Sequence, residues 1–416
     1  MSVHPAPLLE YGLARRMSRN GCQVQENTQP QQPSHFWRKL VIFLFPFAAA
    51  FFALTGVLVY LGESMPLPWV VSLQQRAAAV LFRPMYGNRD QQFKLLSVNA
   101  RRPEVMALGS SRILQFRAGF FNRRPEAFYN AAAPAWRLEQ VADLLYTVDE
   151  DALPRILILA IDPPWFNDSY QGDEFPGPVG DIEQMLLADR SVLQDILTGR
   201  DLGRPGFAPA DYLRRAEPGG SGGLALGLRA IRDGHGFRSD GSEQYGDFLV
   251  AGWLWQPQMR ENHIAMMRRG EDMYVYGDTV SETALADLAA LLDFAVEQDI
   301  TVIGYLPAYA PGLWDRMIAR GNHAYISALT PRLAAEFSAR DFPFFDFSDG
   351  ASVATGDDEF FDGWHASELS NLRLYLKLLE ALPAVLGQYS DYDTLSAVAR
   401  NASDTWRVFG LGNELP

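Results

Sequence analysis

Residues 40–61, LVIFLFPFAAAFFALTGVLVYL, run for 22 residues without a charged side chain. A helix of that length rises about 30 Å, the hydrocarbon thickness of a bilayer. Trp37, Arg38 and Lys39 supply an aromatic and basic anchor on the near side, and Tyr60 marks the far interface. Pro46 is no obstacle, because membrane helices tolerate proline. The run is too long for a signal-peptide core and lacks a small-residue cleavage site; a buried core helix is the other alternative. Arg15, Arg16, Arg19, Arg38 and Lys39 precede it, against Arg76, Arg83 and Arg89 in the first stretch beyond. That bias predicts a cytoplasmic N-terminus and a C-terminal domain on the outer side.

The rest of the 416-residue chain is long enough for one large domain with attachments. A net charge of −14 argues against nucleic acid as a partner, since phosphates call for a basic surface. The single cysteine, Cys22, excludes an intrachain disulfide and any Cys-based metal centre. Residues 1–36 are polar and rich in Gln, Pro and Asn, and are expected to be a disordered cytoplasmic tail before a membrane helix at 37–62. Residues 63–100 form a juxtamembrane segment. Within it, 66–82 reads equally as a surface-lying helix or as an entry helix of the domain.

From residue 101 short apolar runs alternate with helical stretches. Residues 105–108 (VMAL), 127–130 (AFYN), 156–161 (ILILAI), 301–306 (TVIGYL) and 343–347 (PFFDF) are the expected strands. Leu138, Val141, Leu145 and Val148 recur at helical spacing, as do Leu285, Leu288, Leu292 and Val296 behind a capping-box pattern of Thr279 and Glu282. Such alternation predicts βαβ units, hence an α/β fold with a parallel sheet covered by helices. Residues 168–278 break the pattern with Gly and Pro clusters and are expected to be an insertion with helices of their own. Residues 391–416 are left as a C-terminal tail.

Chemistry in such sheets sits beyond the carboxyl ends of the strands. Gly109-Ser110-Ser111-Arg112 follows the first strand, where a serine is placed either as a nucleophile or as a helix cap. Asp362 and His365, three apart in a Gly-containing turn before a helix near Ala366, offer a general base and the acid that orients it. Of the four histidines beyond the apolar run (His235, His263, His323 and His365), only His365 has an acid three residues earlier. Asp162 is expected to cap the turn after the third strand, with metal ligation or a second catalytic acid as the alternatives. Residues 236–242 (GFRSDGS) read as a polar turn. No phosphate loop, dinucleotide motif or zinc pattern is present, so neither metal nor cofactor is expected.

The strand–Gly-x-Ser start, the strand-ending Asn130 and the late Asp-x-x-His turn resemble the SGNH/GDSL hydrolase superfamily over about residues 100–170 and 280–385. The resemblance implies a three-layer sandwich with a five-stranded parallel sheet over 101–390. It also implies a Ser111–His365–Asp362 triad. The Gly-Ser-Ser variant behind a membrane anchor is most similar to members that transfer D-alanine to teichoic acids or acetylate exopolysaccharides such as alginate. By that resemblance the chain would be an O-acyltransferase, with O-acetyl as the group, in a bacterial cytoplasmic membrane and with its catalytic domain outside. It would take an acyl donor and a polysaccharide acceptor, beside a multi-pass membrane O-acyltransferase. A tethered esterase or deacetylase, or an inactive scaffold, are the alternatives. Two blocks depart from the family pattern. Ala135 stands where an oxyanion glycine follows Asn130, and Ile161-Asp162-Pro163-Pro164-Trp165 replaces Gly-x-Asn-Asp. Arg112 and Asn167 are the candidate side-chain donors in compensation.

Overall fold

The computed structural model describes residues 33–77, 79–133, 135–173, 177–198, 209–216, 222–246 and 255–412. The expected disordered tail therefore lies almost wholly outside the described residues. The chain divides into two compact units, residues 1–50 and 51–416.

Helix α1, Pro33–Tyr60, has exposed side chains along most of its length, and its stretch His35–Tyr60 is long and apolar enough to cross a membrane. Five parallel strands carry the larger unit: β2 (Val105–Leu108), β3 (Phe128–Asn130), β4 (Ile156–Ala160), β8 (Thr301–Leu306) and β9 (Phe344–Asp346), in the order β3-β2-β4-β8-β9. Each apolar run becomes a strand because both faces of the sheet are covered. Val105, Ala107, Ile158 and Tyr305 feed one core, while Met106, Leu108, Leu159 and Leu306 feed the other. The order reverses at β2, since β3 lies on one side of it and β4 on the other. That reversal opens a crevice beyond the carboxyl ends of β2 and β4.

The helices that position the site follow in chain order: α2 (Leu67–Arg76), α3 (Asp90–Arg101), α4 (Leu138–Thr147), α5 (Asp181–Thr198), α6 (Trp255–Arg269), α7 (Glu282–Glu297), α8 (Pro311–Arg320), α9 (Ala324–Ser338), α10 (Glu368–Ala381) and α11 (Tyr392–Asn401). Side chains of α4 and α7 fill one core, those of α6, α8 and α10 fill the other, and α9 feeds both, so helices cover both faces of the sheet. The cap of α7 differs from the Thr279 expectation: the Ser281 hydroxyl accepts the Ala284 N–H at 3.3 Å. The hydroxyl nearest the helix start wins because it alone reaches the unpaired amides of the first turn.

Three segments set apart in the sequence belong to the same body. In the juxtamembrane segment, Leu67, Val70 and Val71 of α2 are buried, and residues 80–82 form a strand, β1 (Val80–Phe82). That strand pairs with β5 (Leu224–Leu226) and β6 (Gly236–Phe237) of the expected insertion, and β7 (Glu243–Gln244) closes a second sheet of order β5-β1-β6-β7. The expected C-terminal tail is packed as well. Leu395 on α11, together with Val408, Phe409 and Leu411, is buried. Burial of apolar side chains outweighs the turn-rich composition in all three.

Candidate active site

Gly109 leaves β2 at φ +150, and a Cβ there would lie 2.7 Å from the Ala160 carbonyl oxygen. Only glycine lets the chain pass the end of β4 this closely. Ser110 follows in extended conformation and caps the turn Ser111–Ile113, its hydroxyl accepting the Arg112 N–H at 3.2 Å. Capping thus falls to Ser110 and leaves the Ser111 hydroxyl for another partner.

That partner comes from the loop before α10. Phe360 and Ala366 form an antiparallel bridge, and the Phe361 N–H donates to the His365 carbonyl at 3.0 Å, which pins the base of the loop. Gly363 makes the reversal at φ +100, a left-handed conformation that disfavours other residues. Asp362 Oδ1 accepts the N–H groups of Trp364 at 2.8 Å and His365 at 2.9 Å. Its Oδ2 stands 2.7 Å from His365 Nδ1, and His365 Nε2 lies 2.8 Å from Ser111 Oγ. With Nδ1–H donating to the carboxylate, Nε2 is left to accept the serine proton.

Asp362 is buried at 2% exposure, whereas the His365 side chain is 22% exposed. Burial alone would raise the Asp362 pKa. The His365 imidazole, then His263 and the backbone N–H of His365, outweigh it and hold the acid well below the usual range. Burial would lower the His365 pKa, but the neighbouring Asp362 charge wins and raises it. The arrangement can deprotonate a serine hydroxyl and return that proton to a leaving or entering oxygen.

The other candidates are engaged elsewhere. The Arg112 guanidinium donates to the Pro307 carbonyl at 3.0 Å and the Ala308 carbonyl at 2.5 Å, and it meets Asp162 at 3.5 Å. Its plane lies over the rings of Trp364 (4.1 Å) and Tyr309 (4.5 Å). Arg112 therefore packs against the residue beside His365, with its terminal nitrogens turned to these carbonyls and to Asp162, while its buried Nε has no partner among the described residues. Asn130 donates from Nδ2 to the Ile113 carbonyl at 2.9 Å and the Phe116 carbonyl at 3.1 Å, and accepts the Ala132 N–H at 3.1 Å. Both amide hydrogens are thus used in holding the chain that follows Ser111. Asn167 donates to the Tyr276 carbonyl at 3.2 Å and accepts the Ser169 N–H at 2.9 Å, so it ties down another loop. Ala135 packs half-buried against one core.

Asp162 departs from the capping expectation. Its backbone carbonyl accepts the Trp165 N–H at 3.2 Å, while its carboxylate faces Arg112 and makes no capping bond. Burial raises its pKa against the pull of Arg112. Among the described residues no group of three His, Cys, Asp or Glu side chains gathers as a metal site.

Two neighbours escaped the sequence reading. His263 on α6 places Nε2 3.3 Å from Asp362 Oδ2, with its Nδ1 2.8 Å from the Tyr274 hydroxyl. It has no acid at a telling spacing, and the helix brings it to Asp362 across 99 residues (362 − 263). Tyr245 stands edge-on to His365, with ring centroids 6.4 Å apart at 71°, and stacks parallel to Phe361. Trp406 meets Tyr245 edge-on at 5.7 Å, so segment 168–278 contributes a ring beside the base and segment 391–416 a ring that backs it. No family model, curated protein or solved structure matches the chain.

Proposed function

We propose that this chain is a membrane-anchored serine acyltransferase of the SGNH-hydrolase type that places an acyl group, O-acetyl in the simplest case, on a hydroxyl of a cell-envelope or secreted polysaccharide. The observation that carries the reading is the continuous chain from Ser111 Oγ through His365 to the buried Asp362, at 2.8 and 2.7 Å. Nucleophile and base reach each other from positions 254 residues apart, beyond the carboxyl end of β2 where the strand order reverses. The apolar helix at the N-terminus supports an anchor, and the basic residues before it support an outward-facing domain.

In this reading Ser111 Oγ attacks the donor's acyl carbonyl as His365 Nε2 takes the hydroxyl proton. The imidazolium, held by Asp362, returns that proton to the leaving group, and an ester on Ser111 remains. A sugar hydroxyl then gives its proton to Nε2 and attacks the ester carbonyl, releasing acylated polymer and free Ser111. Arg112 and Asn130 hold the two loops in register. Asn130 spends both amide hydrogens on carbonyls, and Arg112 spends its terminal nitrogens on the Pro307 and Ala308 carbonyls and on Asp162, so backbone N–H groups of the site are the donors this reading assigns to the tetrahedral oxygen.

Polysaccharide isolated from cells expressing Ser111→Ala or His365→Ala, at membrane levels matching the wild type, should lack the acyl ester. Wild-type ester content in a stably expressed Ser111→Ala strain would remove the acyltransferase reading.

A further inference from the structure

Helix α5 has three faces. The inward one carries Gln184, Ala188 and Val192, all buried, and Asp189 is buried at its border with the outward face. A second, mostly polar one carries Glu183, Arg190, Gln194 and Thr198 with Leu187 among them, all exposed. The third is an outward apolar stripe of Ile182, Leu186, Leu193, Ile196 and Leu197, at the i, i+4, i+11, i+14 and i+15 positions of a single helix face. Leu197 is 85% exposed and Ile182 72%, which is costly in water and serves no packing among the described residues.

The stripe cannot turn inward, because the opposite side is tied by polar contacts along the helix. Asp181 pairs with Arg89 at 2.7 Å, the Gln184 amide donates to the Tyr86 carbonyl at 2.7 Å, and Asp195 accepts from the Tyr86 hydroxyl. Asp189, in the middle, accepts the Thr55 hydroxyl at 2.6 Å. That last bond joins α5 to the end of the apolar helix α1, where Leu58 is buried with Ala188 and Val192. Phe51 of α1, itself exposed, lines one groove with Leu186, Leu193 and Leu197 of α5, and the polar Asp189, Arg190, Gln194 and Thr198 border it.

The depth of that contact identifies the occupant. The apolar stretch of α1 runs 26 residues, about 39 Å, against about 30 Å of hydrocarbon, so it has length to spare. Tyr60 marks its outer end. Phe51 and Thr55 then lie about 7–14 Å below Tyr60 at 1.5 Å per residue, close to the depth at which interfacial helices bury their apolar face. With α1 spanning a bilayer, the stripe would continue the apolar surface of α1 at the depth of the acyl chains.

We propose that α5 is a second membrane contact, lying in the leaflet on the domain's side with Ile182, Leu186, Leu193, Ile196 and Leu197 among the lipid acyl chains. It rests on α1 spanning a bilayer. The two together would hold the larger unit against the membrane surface.

The test uses the full chain in phospholipid nanodiscs, with Cys22→Ser removing the native thiol. A nitroxide is attached in turn at Leu193→Cys, Gln194→Cys and Phe45→Cys, and its collisions with oxygen and with a water-soluble nickel chelate are measured. All three positions are exposed, so the labels leave packing intact. Leu193 should resemble Phe45, reached by oxygen and shielded from nickel, while its neighbour Gln194 should be open to nickel. A Leu193 label as open to nickel as Gln194, beside a lipid-shielded Phe45, would overturn the α5 contact alone. Shielding of Leu193 from both reagents would assign the stripe to a protein partner and overturn it equally. Nickel access at Phe45 would overturn the spanning helix and the contact with it.

Discussion

Two buried clusters of charge lie at opposite ends of the segment that follows β2, and they differ in what is left over. Arg117, at 0% exposure, spends its head on Asp240 (3.2 Å), Glu368 (2.9 Å) and the Gly410 carbonyl (2.7 Å). Asp240 also accepts from the Ala118 N–H and the Ser242 hydroxyl, and Glu368 from the Phe409 N–H. Despite burial, Arg117 and Arg238 hold the Asp240 carboxyl down at about 2. Every strong group in this knot has a partner, and it joins the segments 168–278 and 391–412 to the core. The cluster at Ser111 also begins on a buried acid, but it runs outward to a partly exposed imidazole and a serine hydroxyl. A closed network fixes architecture; a chain of bonds ending at an accessible nucleophile can do chemistry.

Substitutions should separate the two. Ser111→Ala removes one partly exposed hydroxyl, so polymer acylation should fall by at least about 10³-fold while the melting temperature stays unchanged. A comparable loss of melting temperature would mean that the serine is structural. Arg117→Leu strands two buried carboxylates and should cost about 3–5 kcal/mol in denaturant unfolding. Unfolding unchanged within the error of measurement would show the knot to be dispensable. Gly241→Ala acts on the same knot: the residue sits at φ +82, and a Cβ would lie 2.2 Å from the Asn130 carbonyl oxygen. A loss of about 1–3 kcal/mol is expected from the strain.

The smallest effect is in pH. His365 must be neutral to act as base, and Asp362 raises its pKa above the ordinary 6.5, so the rate should climb with pH through a midpoint above that value. Asp362→Asn removes the carboxylate charge, so the midpoint should fall even as the rate drops. A midpoint that stays in place would detach Asp362 from the base.

The parallel sheet was legible because most of its strands are short continuous apolar runs buried on both faces, the edge strand β9 being only partly buried; β2 and β8 match their runs residue for residue. The second sheet was not. Its strands are two or three residues long, and β1 meets β5 across more than 140 positions, so no local periodicity announces them. Ser111, Asp362 and His365 were readable for two reasons: a strand end locates the serine, and three-residue spacing joins the acid to the base. The supporting shell was hidden. Arg112 finds its carbonyls near residue 307, Asn167 finds its own at residue 276, and His263 reaches Asp362 from another helix. Long-range partners of this kind depend on how the elements pack, which residue type and spacing do not encode.

An active-serine reagent tests the central claim most directly. A fluorophosphonate phosphonylates a serine oxygen with loss of fluoride only when a neighbouring base takes the proton. Incubated with the full-length protein in detergent or nanodiscs near pH 8, it should leave one adduct by peptide mass spectrometry, on Ser111, and His365→Ala should abolish it. An unlabelled Ser111 in folded protein, or equal labelling in the His365→Ala variant, would contradict the account.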